Sequence, residues 1–262
     1  MKNNNLNLIF TLLGGILLLF IVAPILGLFL FTSKGSIINT INDEETIKSM
    51  GLTLWASMSA TIIASFLAIP LAYLLARKSF WGRSFILSLI NLPIVIPHTA
   101  AGIALLGVVS SNTTIGKFLK YLGLDFINNP KGIIIAMMFV SVPFLVNAAY
   151  EAFSNVPVKL EKAALTLGAS VSKMFFTISL PLASKGIISG MIMMFARGMS
   201  EFGAVVIIAY YPTITPVLIY EKFTSLGLSY ALPITTVFMI ITLIVFIVLN
   251  IVTHIKKNVD SY

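Results

Sequence analysis

The sequence has no cysteine and little charge. None of its 262 residues is Cys, which excludes disulfides, zinc–thiolate sites and thiol chemistry. Only 10% of the residues are charged, against about a quarter in a typical soluble domain. The two histidines, His98 and His254, lie far apart in the chain, so a histidine-based metal cluster is not expected.

Hydrophobic residues replace the missing charge. They make up 58% of the chain, and the mean hydropathy is +1.02. A soluble globule of this size could not bury so much apolar surface, so the composition predicts a membrane protein. The net charge of +8 falls mainly between the apolar runs, where cytoplasmic loops and membrane lipid headgroups account for it. Nucleic acid is therefore not an expected partner.

Six apolar runs are long enough to cross a bilayer, which requires about 20 residues in a helix. They cover residues 6–31, 52–76, 85–109, 132–150, 186–210 and 231–254. The first run exceeds the apolar core of a signal peptide, which is about 7–15 residues long, and no small-residue cleavage site closes it. We predict an all-α membrane protein with six transmembrane helices that forms a single domain over residues 1–262.

The basic residues indicate an orientation for these helices. With both termini in the cytoplasm, the inside carries more Lys and Arg than the outside, as multi-pass proteins of the cell membrane usually show. The predicted inside residues are Lys2, Arg77, Lys78, Arg83, Lys159, Lys162, Lys173, Lys185, Lys256 and Lys257.

The loop between the fourth and fifth runs, residues 151–185, differs from a linker. Pro157 suits the start of a helix, and Gly168 suits its end. Between them, Leu160, Ala164 and Leu167 recur at helical spacing. A second short helix, 171–180, is predicted to stop at Pro181. We therefore predict a cytoplasmic helix–turn–helix with one apolar face that requires a partner.

This loop resembles the coupling loop of ATP-binding-cassette importer permeases. The family pattern is Glu-Ala-Ala, three residues, Gly, nine residues and Ile-x-Leu-Pro. The sequence reads Glu161-Lys162-Ala163-Ala164-Leu165-Thr166-Leu167-Gly168, and then Ile178-Ser179-Leu180-Pro181. Lys162 replaces the family's Glu, and Glu161 precedes it. The resemblance implies that Glu161, Lys162, Ala163, Ala164, Leu167 and Gly168 couple the chain to an ATPase.

The resemblance also implies a fold and partners. The fold would be that of the type I importer permeases (MetI-like). No Gly-x-x-x-x-Gly-Lys-Ser/Thr phosphate loop occurs in the sequence, so the chain is not predicted to be an enzyme or to hold a cofactor. ATP and Mg would be bound by a separate ATPase subunit. A second copy of the chain would complete the pathway, and an extracytoplasmic oxyanion-binding protein would deliver the substrate.

Two further stretches narrow the resemblance to permeases for tetrahedral oxyanions, above all tungstate and molybdate. They are Asn91-Leu92-Pro93-Ile94-Val95-Ile96-Pro97-His98-Thr99-Ala100-Ala101-Gly102 and Ala196-Arg197-Gly198-Met199-Ser200-Glu201-Phe202-Gly203-Ala204-Val205. The sulfate permeases share the outline of both stretches. A permease for sulfate or another anion therefore remains an alternative.

Charged residues inside a predicted helix mark a candidate translocation path. Arg197 and Glu201 fall near the middle of the fifth run, where each charge costs about 2.5–3.5 kcal/mol on insertion scales. Their spacing places them on one helical face, either as a packing pair or as a polar lining. We assign Pro97, His98, Arg197, Ser200 and Glu201 to the path, with Glu201 orienting Arg197 rather than binding an anion.

Three alternatives from other classes remain at this stage. An ion-gradient-driven anion transporter would show inverted repeats with broken helices, and no repeat is visible. A membrane enzyme would need clustered titratable groups. A membrane scaffold without transport function is the third alternative. None of the three accounts for the motif in the loop.

Overall fold

The computed structural model describes residues 4–259, with side chains described for residues 6–251. Lys2 therefore lies outside the described residues, and His254, Lys256 and Lys257 lie outside the described side chains. Everywhere in the described range the regular structure is helical. The prediction of an all-α membrane protein is confirmed.

The helices follow the apolar runs, with short helices between them. Their bounds are α1 Asn4–Phe31, α2 Lys34–Asn42, α3 Glu44–Arg77, α4 Arg83–Val95, α5 His98–Val109, α6 Thr114–Tyr121, α7 Pro130–Asn155, α8 Val158–Thr166, α9 Val171–Met174, a π-helical turn Phe175–Ser179, α10 Leu180–Met199, α11 Gly203–Ile208, α12 Thr215–Leu226 and α13 Leu228–Val259.

Five of the described helices are long and apolar enough to cross a membrane, and a bent pair makes a sixth crossing if it counts as one. The bent pair is α4 and α5, which meet at 115°. The third run is therefore not one helix. Pro97 stands at the bend as the residue before α5, whereas Pro93 lies inside α4 without breaking it. Proline lacks the N–H that a continuous helix would need at this point.

The fifth run also differs from its prediction. Helix α10 ends at Met199, and a short separate helix, α11, follows after three residues. At its N-terminal end, α10 continues the helical path of α9 and the π turn, so that residues Val171–Met199 form one span. Pro181 does not stop this helix: it follows the π turn Phe175–Ser179 after one residue, and the helix continues through it to Met199.

Small residues bring α3, α7 and α10 close together. Five alanines recur every fourth residue along α3 and are all buried: Ala56, Ala60, Ala64, Ala68 and Ala72. On α10, a Cβ at Gly186 would lie 2.6 Å from the Cβ of Ala152, and one at Gly190 would lie 2.7 Å from the Cβ of Ala148. Small residues of this kind let membrane helices approach closely.

Candidate functional site

The breaks in the third and fifth spans lie against each other. A Cβ at Gly203, the first residue of α11, would lie 2.7 Å from the Cβ of His98, the first residue of α5. Further along, a Cβ at Gly102 would lie 2.9 Å from the carbonyl oxygen of Ala204. Helices α5 and α11 are therefore in direct backbone contact, and their first residues meet.

An ionic cluster occupies this junction. One carboxylate oxygen of Glu201 lies 3.0 Å from Nη2 of Arg197 and 2.8 Å from Nδ1 of His98. The same Arg197 nitrogen lies 2.8 Å from the imidazole nitrogens. The Glu201 side chain is 0% exposed, whereas those of Arg197 and His98 are 22% and 35% exposed. The carboxylate is thus the buried centre, and the two basic groups form its more open side.

The second carboxylate oxygen of Glu201 holds the backbone. It accepts a hydrogen bond of 2.9 Å from the N–H of Ala204 in the first turn of α11, where a negative charge is favourable. Ser200 closes the end of α10: its hydroxyl donates to the Arg197 carbonyl at 3.0 Å, and Nη1 of Arg197 donates to the Ser200 oxygen at 3.2 Å. The cluster therefore joins the ends of three helices.

The structure brings together the side chains assigned to the path, but it places two of them differently. Arg197 and Glu201 pair as predicted, yet Arg197 lies in the last turn of α10 and Glu201 lies beyond its end. The contact of His98 with both was not predicted, because it joins segments that are far apart in the sequence. Pro97 directly precedes His98, at the bend between α4 and α5.

The predicted coupling loop is shorter than expected, because α7 extends to Asn155 and the fifth span begins at Val171. Helix α8 starts after Pro157 and ends before Gly168, as the sequence predicted. Gly168 has a φ of +85°, a conformation that glycine adopts without strain. The short turn to α9 depends on it.

The coupling residues lie on two faces of α8. Lys162, Ala163, Leu167 and Gly168 are exposed, as is Leu160 next to them, while Ala164 is half-buried. Glu161 is only 5% exposed. Its two oxygens accept hydrogen bonds from Nε of Arg77 at 3.0 and 2.8 Å. Glu161 therefore faces the bundle rather than the exposed side of α8, a placement that the loop motif alone did not predict.

Comparison with known proteins agrees with this architecture. Residues 68–257 match the model of the family described as binding-protein-dependent transport system inner membrane component. The chain is 41% identical over 244 residues, 92% of this chain and 93% of the relative, to a molybdate/tungstate transport system permease protein of Pyrococcus abyssi. It is 29% identical over 246 residues, 91% of this chain and 96% of the relative, to a probable sulfate transport system permease protein of Prototheca wickerhamii.

Solved structures share the fold. A bacterial ABC transporter involved in the import of the acidic polysaccharide alginate superposes with a TM-score of 0.75 at 18% identity, covering 96% of each chain. An inward-facing MetNI methionine ABC transporter gives a TM-score of 0.59 at 12% identity, covering 84% of this chain and all of the other. At these identities the likeness concerns the fold alone.

Proposed function

The chain belongs to the family of binding-protein-dependent transport system inner membrane components, and from this premise we propose that it imports a tetrahedral oxyanion of the molybdate/tungstate type. Membership of this family argues against the three alternatives raised by the sequence, namely an ion-gradient-driven transporter, a membrane enzyme and a scaffold. The chain is a multi-pass membrane permease subunit, a transport component rather than an enzyme.

The observation that carries the substrate proposal is the gradient of identity among relatives. Permeases named for molybdate/tungstate are about 40% identical over most of the chain, and those named for sulfate are 27–29% identical over a similar length. Sulfate is the second candidate, because both groups align over nearly the whole chain and the anions share tetrahedral geometry.

The exposed face of α8 is proposed to dock on the ATPase subunit, which binds ATP and Mg. Leu160 and Ala163 on the nine-residue helix and Leu167 directly after it are exposed apolar or small side chains, which suits insertion of a helix into a groove. Lys162 is also exposed but lies around the helix from Leu160 and Leu167, where it would contact the rim of that groove. This assignment places the α8 end of the bundle, and both termini, in the cytoplasm.

The translocation path is proposed to form between two copies of the chain, since closed two-fold dimers are the commonest assemblies of identical subunits. The cluster of His98, Arg197 and Glu201 would border the path. Its more open side carries the Arg197 guanidinium, which suits a passing anion, while Glu201 keeps Arg197 in place. A binding protein would deliver the anion at the opposite end of the bundle, where residues 110–131 lie.

The test is ATPase activity in proteoliposomes that contain the chain, its candidate ATPase and its binding protein. Molybdate, tungstate and sulfate are compared as the loaded anion. Stimulation by molybdate or tungstate, with uptake of the same anion, supports the proposal. Stimulation by sulfate alone would favour the second candidate, and absence of any complex with an ATPase would contradict coupled import.

A further inference from the structure

The buried face of α8 carries a polar contact that the docking proposal does not use. Glu161 is turned away from the surface on which an ATPase would sit. Besides Arg77, it contacts Ser179, whose hydroxyl donates to Oε1 at 2.6 Å. Arg77 is the last residue of α3, and Ser179 directly precedes α10. One carboxylate of α8 thus contacts the last residue of α3 and the π turn within the fifth span.

Several hydrogen bonds hold the Arg77 side chain in one position. The Nε atom of Arg77 lies within bonding distance of both Glu161 oxygens, and its Nη2 donates to the carbonyl of Val156 at 3.0 Å. Val156 is the residue that joins α7 to α8. Arg77 and Glu161 side chains are 11% and 7% exposed, so water does not screen the pair as it would at a surface.

Aromatic packing supports the arginine from behind. The guanidinium carbon of Arg77 lies 5.9 Å from the ring centre of Tyr73. That ring makes edge-on contacts with Phe153 of α7 and Phe175 of the π turn, with centroids 5.2 and 4.9 Å apart. This aromatic packing therefore holds α3, α7 and the π turn together about one helical turn away from the Arg77–Glu161 pair.

We infer that Glu161, through Arg77 and Ser179, is a positioning residue that makes α8 move as one body with α3 and α10. We call these three residues the brace. An ATPase that displaces α8 would then displace both spans, rather than bend the loop. The inference rests on the proposed function and deepens it: Lys162 and its neighbours hold the partner, and the brace transmits the movement.

Breaking the brace should reduce anion transport without weakening the binding of the ATPase. Glu161→Gln keeps the shape of the side chain and removes its charge. We expect the variant to bind the ATPase within about twofold of the wild type, because Glu161 does not reach the docking face. Anion uptake per ATP hydrolysed should fall at least about fivefold, the lower range of typical coupling between sites.

Lys162→Gln is the matched control, since it removes one charge from the adjacent, exposed position. It should weaken ATPase binding while leaving uptake per ATP of the assembled complex unchanged. Ser179→Ala removes the hydroxyl that contacts Glu161 and the sulfur of Met174 but keeps the Arg77–Glu161 pair, and it serves if Glu161→Gln does not accumulate in the membrane. A reversed pair, Arg77→Glu with Glu161→Arg, should restore part of the lost uptake per ATP.

A distance measurement reports the movement itself. Because the chain has no cysteine, spin labels can be placed at Lys78→Cys, after α3, and Thr166→Cys, in α8, with no background labelling. One labelled copy is combined with one unlabelled copy. The label distance should be the same with and without ATP in the wild-type background, and should broaden in the Glu161→Gln background.

The outcomes separate the two proposals. Wild-type chain that binds no ATPase or couples to no anion overturns the proposed function. Coupled wild-type transport together with unchanged uptake per ATP in Glu161→Gln overturns the brace. The brace is also overturned if Glu161→Gln weakens ATPase binding as Lys162→Gln does, or if the α3–α8 distance changes with ATP in the wild type.

Discussion

Nδ1 of His98 lies 2.8 Å from the buried carboxylate of Glu201, although each residue sits at the break of a different span. The contact fixes the start of α5 against the end of α10. Because the same carboxylate also binds Arg197 and the first turn of α11, one side chain holds together the two places where membrane-spanning helices are interrupted.

Replacement of Glu201 by Gln should impair transport. The change leaves Arg197 without its anionic partner in a partly buried site, and removing one member of such a pair is costly. We expect anion uptake to fall at least about tenfold, which corresponds to about 1.4 kcal/mol, and the thermal unfolding temperature in detergent to drop. Glu221→Gln, which alters a carboxylate bonded to Tyr210 near the surface, is the control. Normal uptake and coupled ATPase in Glu201→Gln would refute a positioning role for Glu201.

Close packing of α5 on α11 should not tolerate a methyl group. Gly203→Ala places a Cβ 2.7 Å from that of His98, so the two helix starts must separate. We predict strongly reduced uptake and a lower unfolding temperature. Gly107→Ala is the matched control on α5, since nothing lies within 4 Å of its Cβ, and alanine there should stabilise the helix by about 0.5–1 kcal/mol. Equal behaviour of the two variants would contradict the packing argument.

The turn after α8 should depend on backbone conformation at Gly168 rather than on space. A Cβ at this position would meet no atom within 4 Å. However, the φ of +85° is a left-handed conformation, which costs a residue with a side chain about 1–2 kcal/mol. Gly168→Val should therefore weaken ATPase binding, whereas Gly168→Asn should be milder, because asparagine visits this conformation. The two affinities can be measured by titrating detergent-solubilised chain with ATPase. A steric origin would instead make Asn at least as harmful as Val.

Stability at the opposite end of the bundle should depend on pH through Asp43. Its carboxylate precedes α3 and accepts hydrogen bonds from the hydroxyl and the N–H of Thr46, which hold the pKa of Asp43 below its ordinary value. A lowered pKa in the folded state contributes stability above the ordinary pKa near 4, and that stability is lost as the pH falls through the folded pKa.

The measurement is thermal unfolding of wild type and Asp43→Asn between pH 7 and pH 3. Asparagine can still cap the helix but carries no charge. The unfolding temperatures of the two proteins should therefore differ at pH 7 and converge in acid. Asp43→Ala, which removes the cap, should cost about 0.5–2 kcal/mol at pH 7. A gap between wild type and Asp43→Asn that widens as the pH falls would contradict the assignment.

The sequence predicted the fold to the extent that hydrophobic length decides it. Helices α1, α3, α7 and α13 contain long apolar runs, and α8 begins and ends at the proline and glycine that marked it. The apolar pattern did not predict the break after α10, because Gly203-Ala204-Val205 continues the apolar run. Apolar length alone therefore cannot distinguish one helix from two in succession.

The sites were predictable only in part, and for a physical reason. Arg197 and Glu201 are four residues apart in the sequence and could be paired from helical spacing alone, although Glu201 follows the end of α10. The partners of Glu161 and Glu201 on other helices could not, since Arg77 and His98 come close only through tertiary packing. A charge within a loop motif can be buried when a distant arginine pairs with it, as Arg77 does with Glu161, and the sequence does not reveal that partner.

The π turn Phe175–Ser179 sets a rotational phase along the fifth span. In an α-helix each residue advances about 100° around the axis, and a π turn accommodates one residue beyond the α-helical number. Side chains before the turn are thereby offset against those after it, so that Ser179 can face Glu161 while α10 turns Gly186 and Gly190 toward α7. Deleting one residue from this turn would restore a regular helix at the expense of that alignment, which makes chain length here as constrained as residue identity.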